Sequence, residues 1–122
     1  SVDVTAPDGS ETWSMCFDRN VIGDVADYIV FMAYDEYGAS STKPGTTAGY
    51  DWVKLGLNKF LQTEEIESNK IILAIPFYTR VWTTNSEGKT ISKTVSMKNI
   101  DKVIPDGAEK KWDDNLKQNY VE

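Results

Sequence analysis

Histidine is absent from the 122 residues, and Cys16 is the lone cysteine. The first absence excludes a Ser/His/Asp triad or an imidazole-ligated metal built from this chain, and the second excludes an internal disulfide or a CxxC metal site. Proton transfer falls to carboxylates, tyrosines and lysines, and no metal or other cofactor is expected. Cysteine usage leaves the redox compartment open. No apolar run approaches the ~20 residues needed to span a bilayer, and SVDVTAP has neither the basic start nor the apolar core of a signal peptide. Positive charge is also scarce: 13 Lys and Arg face 19 Asp and Glu, a formal net charge of −6. Nucleic-acid phosphates and anionic lipid surfaces are repelled on average, whereas neutral or cationic ligands fit better.

What is present suffices for one folded domain, since 40% of the residues are hydrophobic. Residues 1–6 alternate and are β-branched, which predicts a short strand closed by the turn signal Pro7, Asp8, Gly9 and Ser10. A loop with Trp13 follows. Residues 18–26 suit a short helix with Asp18 as N-cap and Val21, Ile22 and Val25 as its buried stripe. An unbroken apolar or aromatic run from Tyr28 to Tyr34 then stops on Asp35 and Glu36. Being apolar on both faces, it predicts a parallel strand covered on both sides. After the polar loop GASSTKPGTTAG comes a longer helix over Tyr50–Gln62, with Trp52, Val53, Gly56, Leu57, Phe60 and Leu61 at helical spacing and Asp51 or Thr47 as cap. A second doubly apolar strand occupies residues 70–77. The layout is β-α-β-α-β with right-handed crossovers.

Beyond Val81 the chain turns polar. SMKNIDKVI predicts a short helix capped by Ser96, and AEKKWDDNLKQNYVE a hairpin turning at Asp114 and Asn115. The expected organisation is a β/α segment over residues 1–82 and a small α+β unit over 83–122, the latter incomplete. Uncovered strand edges at 1–6 and 70–77 lead to the expectation that this is a piece of a larger protein, and that the isolated piece self-associates.

In parallel β/α proteins, sites form at the carboxyl ends of strands. Strand alternation puts Val30, Met32 and Tyr34 on one face with Asp35 at the lip, and Ala74, Pro76, Tyr78 and Arg80 on one face of the later strand. If both faces lie on one side, Tyr34, Asp35, Tyr78 and Arg80 meet at one rim near Trp82 and Trp112. Phenols, a carboxylate, a guanidinium and flat indoles suit a sugar, whose hydroxyls need fixed partners and whose ring faces stack on aromatics. Plainer readings stand beside this one: Met32 and Trp52 as packing residues, Tyr34 as core filler, Arg80 as no more than the partner of Asp35, and Glu36 as a solvated carboxylate.

MAYDEYG at 32–38 resembles the Met-x-Tyr-Asp signature ending strand six of family 18 glycoside hydrolases, the chitinase-like (β/α)₈ barrels. KIILAIPFYTRVW at 70–82 resembles their strand seven, commonly written Gly-Ile-Pro-Phe-Tyr-Gly-Arg, with Thr79 in place of the second glycine. SMKNIDKVI and KKWDDNLKQNYVE are similar to the α+β insertion between strands seven and eight in bacterial spore-associated and cell-wall-associated members. The resemblance implies a partial TIM barrel, about strands five to seven of a ~250-residue barrel, and a polysaccharide partner containing β-linked N-acetylglucosamine, chitin or peptidoglycan.

It further implies a substrate-assisted retaining mechanism in which the acetamido oxygen attacks the anomeric carbon while a strand-four Glu protonates the leaving oxygen. Tyr34 would position the acetamido carbonyl, Met32 would pack beneath the sugar, and Asp35 and Arg80 would hold its hydroxyls, with Tyr78, Trp82 and Trp112 also at the substrate. The strand-four motif Asp-x-x-Asp-x-Asp-x-Glu matches no window here, and the strand-eight Trp has no counterpart. By resemblance the parent is extracytoplasmic, in the cell wall or spore. Two other readings are a non-catalytic glycan-binding relative and a stand-alone flavodoxin-like α/β domain. The second is weakened because PDGSETW lacks G-x-G-x-x-G.

Overall fold

The computed structural model describes residues 1–4 and 16–122. The Pro7–Ser10 turn, Trp13 and the end of the expected first strand lie outside the described residues. The described chain gathers into two compact units, Ser1–Tyr34 with Asp51–Ile75, and Asp35–Tyr50 with Pro76–Glu122.

In the first unit, β1 (Val2–Asp3), β2 (Ile29–Met32) and β3 (Ile71–Ala74) form a parallel sheet in the order β1-β2-β3. Phe31 lies beside Val2 and Leu73, so the register sets Ile29 and Phe31 on the covered face. Helix α1 (Arg19–Val25) precedes β2, and α2 (Tyr50–Gln62) separates β2 from β3. The crossover pattern expected from the hydrophobic runs is therefore present. The core consists of Val2, Val4, Ile29, Phe31, Ala33, Phe60 and Ile66, with Trp52, Val53 and Leu57 of α2 packed against it. The Phe31 and Phe60 rings meet at 5.1 Å between centroids, and burying each ring contributes ~1.5–3 kcal/mol. Gly56 is what lets α2 come this close: a Cβ there would lie 2.6 Å from Val4 Cγ1 and 3.3 Å from Phe31 Cζ.

Two expectations are corrected. Asp18 does cap α1, its Oδ1 accepting from the Val21 N–H at 3.2 Å, but Val21 and Val25 are exposed rather than buried. The buried residue of α1 is Arg19, which donates to the Asp3 carbonyl at 3.1 Å, pairs with Glu64 at 3.6 Å and lies over the Phe17 ring. A helix this short turns only a narrow face to the sheet. Ile22 and the stem of Arg19 occupy it, the charged head reaching polar partners at its edge. Nor are the strands covered on both sides: Val30 and Ile72 are exposed, because the core lies only on the Ile29 and Phe31 side, and Leu73 is exposed on the edge strand β3.

The second unit is built from hairpins. The stretch after Val81 is not merely turn-rich, since β4 (Tyr78–Thr84) continues through it and pairs antiparallel with β5 (Thr90–Ser96). Asn85 closes the turn, its Oδ1 accepting from the Glu87 and Lys89 N–H groups, while Gly88 takes a φ of +80° that disfavours a side chain. A 3₁₀ helix (Met97–Lys102) follows with Ser96 at its N-cap; the Ser96 Oγ accepts from Asn99 Nδ2 instead of a backbone amide. The last hairpin joins β6 (Lys111–Asp113) to β7 (Gln118–Tyr120) across the Asp114 and Asn115 turn foreseen from the sequence. The Asp113 Oδ1 accepts from the Asn115 and Leu116 N–H groups there.

Candidate functional site

Asp35 opens the second unit with a φ of +62°, a left-handed conformation sparsely used outside glycine and tolerated best by Asn and Asp. Arg80 reaches it from β4. One guanidinium nitrogen donates to Asp35 Oδ1 at 2.9 Å, and the other terminal nitrogen donates to Ser92 Oγ of β5 at 3.2 Å. The pair is asymmetric: the Arg80 side chain is 9% exposed and the Asp35 side chain 46%. Arg80 Nε is buried without a hydrogen-bond partner among the described residues. A carboxylate accepts more bonds than one guanidinium N–H supplies, so Asp35 retains acceptor capacity toward solvent or a ligand hydroxyl.

Side-chain alternation puts Tyr78, Arg80 and Trp82 on one face of β4, and opposite them across the hairpin stand Ser96, Thr94 and Ser92. The Trp82 indole N–H is engaged, donating to the Gly45 carbonyl at 2.9 Å. Gly45 lies against the Tyr37 ring, where a Cβ would collide with it, and the Lys43 ammonium sits over the same ring.

The structure thus brings together Asp35 and Arg80, with Tyr78 and Trp82 on the same strand face as Arg80. Trp112 stands on the β6–β7 hairpin, 56% exposed, and its indole bonds the Asp114 carboxylate. That bond, behind a larger contribution from Lys117, holds Asp114 below its usual value. Met32 ends β2 and Tyr34 closes the first unit, both half-buried. Among the described residues no group of three or more His, Cys, Asp or Glu could hold a metal ion.

Glu36 is not the solvated carboxylate expected from the sequence. Its Oε2 accepts from the Gly49 N–H at 2.7 Å, and burial, only partly offset by that bond, raises its carboxyl above the ordinary value. Ser92 was not anticipated either. The signal for it lay in TISKTVS, whose alternation after the NSEGK turn brings hydroxyls opposite the site face of β4.

A chitinase of Chromobacterium violaceum ATCC 12472 superposes with a TM-score of 0.82 at 25% identity, over 98% of this chain and 36% of that one. A family 18 chitinase of Cycas revoluta, solved with allosamidin, superposes with a TM-score of 0.68 at 22% identity, over 87% of this chain and 35% of that one. The α/β arrangement is one shared with TIM-barrel chitinases. The model of glycosyl hydrolases family 18 matches residues 1–122, and the chain belongs to that family. The uncharacterized glycosylase YvbX of Bacillus subtilis (strain 168) is 36% identical over 78 residues, 64% of this chain and 22% of that protein. The chain spans about a fifth of that relative and little more than a third of either solved structure. Family membership displaces the flavodoxin-like reading.

Proposed function

We propose that this chain is the substrate-subsite portion, about strands five to seven, of a family 18 glycosidase acting on β-linked N-acetylglucosamine glycans, chitin or peptidoglycan. Residues 1–82 are its barrel segment and residues 83–122 its insertion unit. The observation that carries the reading is the buried Arg80 guanidinium on the Asp35 carboxylate at 2.9 Å, in a chain whose whole length matches the family. Asp35 and Arg80 hold sugar hydroxyls, Met32 packs beneath the ring, and Tyr78, Trp82 and Trp112 border it. Tyr34 donates to the acetamido carbonyl as its oxygen closes on the anomeric carbon. The leaving oxygen takes its proton from a strand-four Glu supplied from outside these residues.

Tyr34→Phe, in the protein that carries this chain with its strand-four acid, is the test. A donor that acts where charge develops lowers the barrier more than it tightens binding, and losing one costs ~2.7–4 kcal/mol by analogy with oxyanion holes. A large fall in kcat with an unchanged Tm is expected. A folded variant with normal kcat rejects the role, and a wild-type protein that binds the glycan without cleaving it identifies a non-catalytic glycan-binding relative.

A further inference from the structure

The left-handed backbone of Asp35 calls for a cause. A non-glycine residue at φ +62° is strained and persists only where its surroundings over-determine it. The structure supplies those surroundings one residue on. The Glu36 N–H donates to the Thr47 carbonyl at 3.0 Å, its side chain accepts from the Gly49 N–H at 2.7 Å, and the Tyr37 N–H donates to the Thr46 carbonyl at 3.1 Å. These bonds close residues 36–49 into a ring whose base directly follows Asp35. The far side of the base is fixed in turn by the β6–β7 hairpin, where Gln118 Nε2 donates to Thr46 Oγ1 and the Tyr50 N–H donates to the Leu116 carbonyl.

We propose that Glu36 is a positioning residue: by bonding Gly49 through its carboxylate and Thr47 through its N–H, it locks the base of the 36–49 loop and so holds Asp35 left-handed, with its carboxylate on Arg80. Nothing in this requires Glu36 to touch a ligand. Its partner Gly49 has no room to spare, since a Cβ there would lie 2.9 Å from Glu36 Oε2 and 3.3 Å from Leu116 Cδ2. Two independent changes therefore break the same bond: Glu36→Ala removes the acceptor, and Gly49→Ala pushes it away. Glu36→Gln keeps an oxygen acceptor at the same reach.

The readout is solvent exchange of the Arg80 guanidinium N–H groups by NMR, together with affinity for N-acetylglucosamine tetrasaccharide by calorimetry; only the second rests on the function proposed above. Glu36→Ala and Gly49→Ala are each expected to speed Arg80 exchange ~10-fold, while Glu36→Gln restores slow exchange. In an Asp35→Ala background Glu36→Ala adds nothing, because the pair it positions is already gone. A general loss of packing would add in both backgrounds and would not be rescued by Gln. Unchanged Arg80 exchange in the two alanine variants, or additivity in the Asp35→Ala background, overturns the positioning role. Faster exchange with undiminished tetrasaccharide affinity supports the role and removes the glycan from Asp35 and Arg80. Faster exchange with weakened affinity supports both.

Discussion

Glu36 is drawn in two directions. Partial burial penalises its charge more than the Gly49 N–H rewards it, so the carboxyl sits above its ordinary value of 4.5. The folded chain then holds this proton more tightly than the unfolded chain does. The associated stabilisation is complete below pH 4.5 and is lost as pH rises through the raised folded value. Glu36→Gln is expected to remove this loss: its Tm should fall less than wild type between pH 4 and neutrality, as calorimetric scans across that interval would record. A parallel fall in both proteins would contradict the assignment. Asp35 was legible because it stands where an apolar run gives way to charge, whereas Arg80, expected on one strand with Ala74 and Pro76, lies inside β4, which belongs to another sheet than β3. Glu36 was not legible, because its partner Gly49 lies 13 residues away across a loop closure that no local pattern announces, and Ser92 shows only in the alternation of TISKTVS, 12 residues from Arg80. The Trp82 indole N–H likewise escaped, its Gly45 partner lying 37 residues away.

At the level of elements, α2 shows what a helical stripe does and does not specify. Its bounds, Tyr50–Gln62, are those read from the sequence, and Phe60, Trp52, Val53 and Leu57 reach the core as the spacing required. Gly56 falls in that stripe by spacing alone, yet it sets the distance between helix and sheet. Gly56→Ala should gain helix propensity worth ~1 kcal/mol but force Val4 and Phe31 aside at an overpacking cost of ~1–3 kcal/mol. The expected result is a lower Tm, whereas an unchanged or higher one would mean that Val4 yields freely. The misreading of α1 has a related origin. In a helix of 7 residues the choice among neighbouring faces rests on one or two contacts, and Arg19 secured it through Asp3 and Glu64. The hairpins of residues 78–120 were legible only where turn residues flagged them, as at Asp114 and Asn115. The Thr-rich arms of β4 and β5 looked like loop because their outward faces are polar.

For the molecule as a whole, the sheet presents apolar residues to solvent: Val30 at 36%, Ile72 at 48%, Leu73 at 42% and Ile75 at 59% exposure. With β1 and β3 as open edges, the 122-residue chain is expected to self-associate, its mass by light scattering rising with concentration. A monomer at every concentration would be evidence against it. No helix among the described residues is long and apolar enough to cross a membrane. The ring closed by Glu36 and Gly49 has a different bearing on the chain's history. Its ties lie at Glu36, Tyr37 and residues 45–49, whereas Ala39, Ser40, Thr42 and Lys43 at its tip are exposed. Because doubling a closed loop costs only ~0.6 kcal/mol, extra residues spliced between Ser40 and Thr42 would leave the clasp intact. Length can therefore drift at the tip from one descendant sequence to the next while the strand end beneath it keeps its aim.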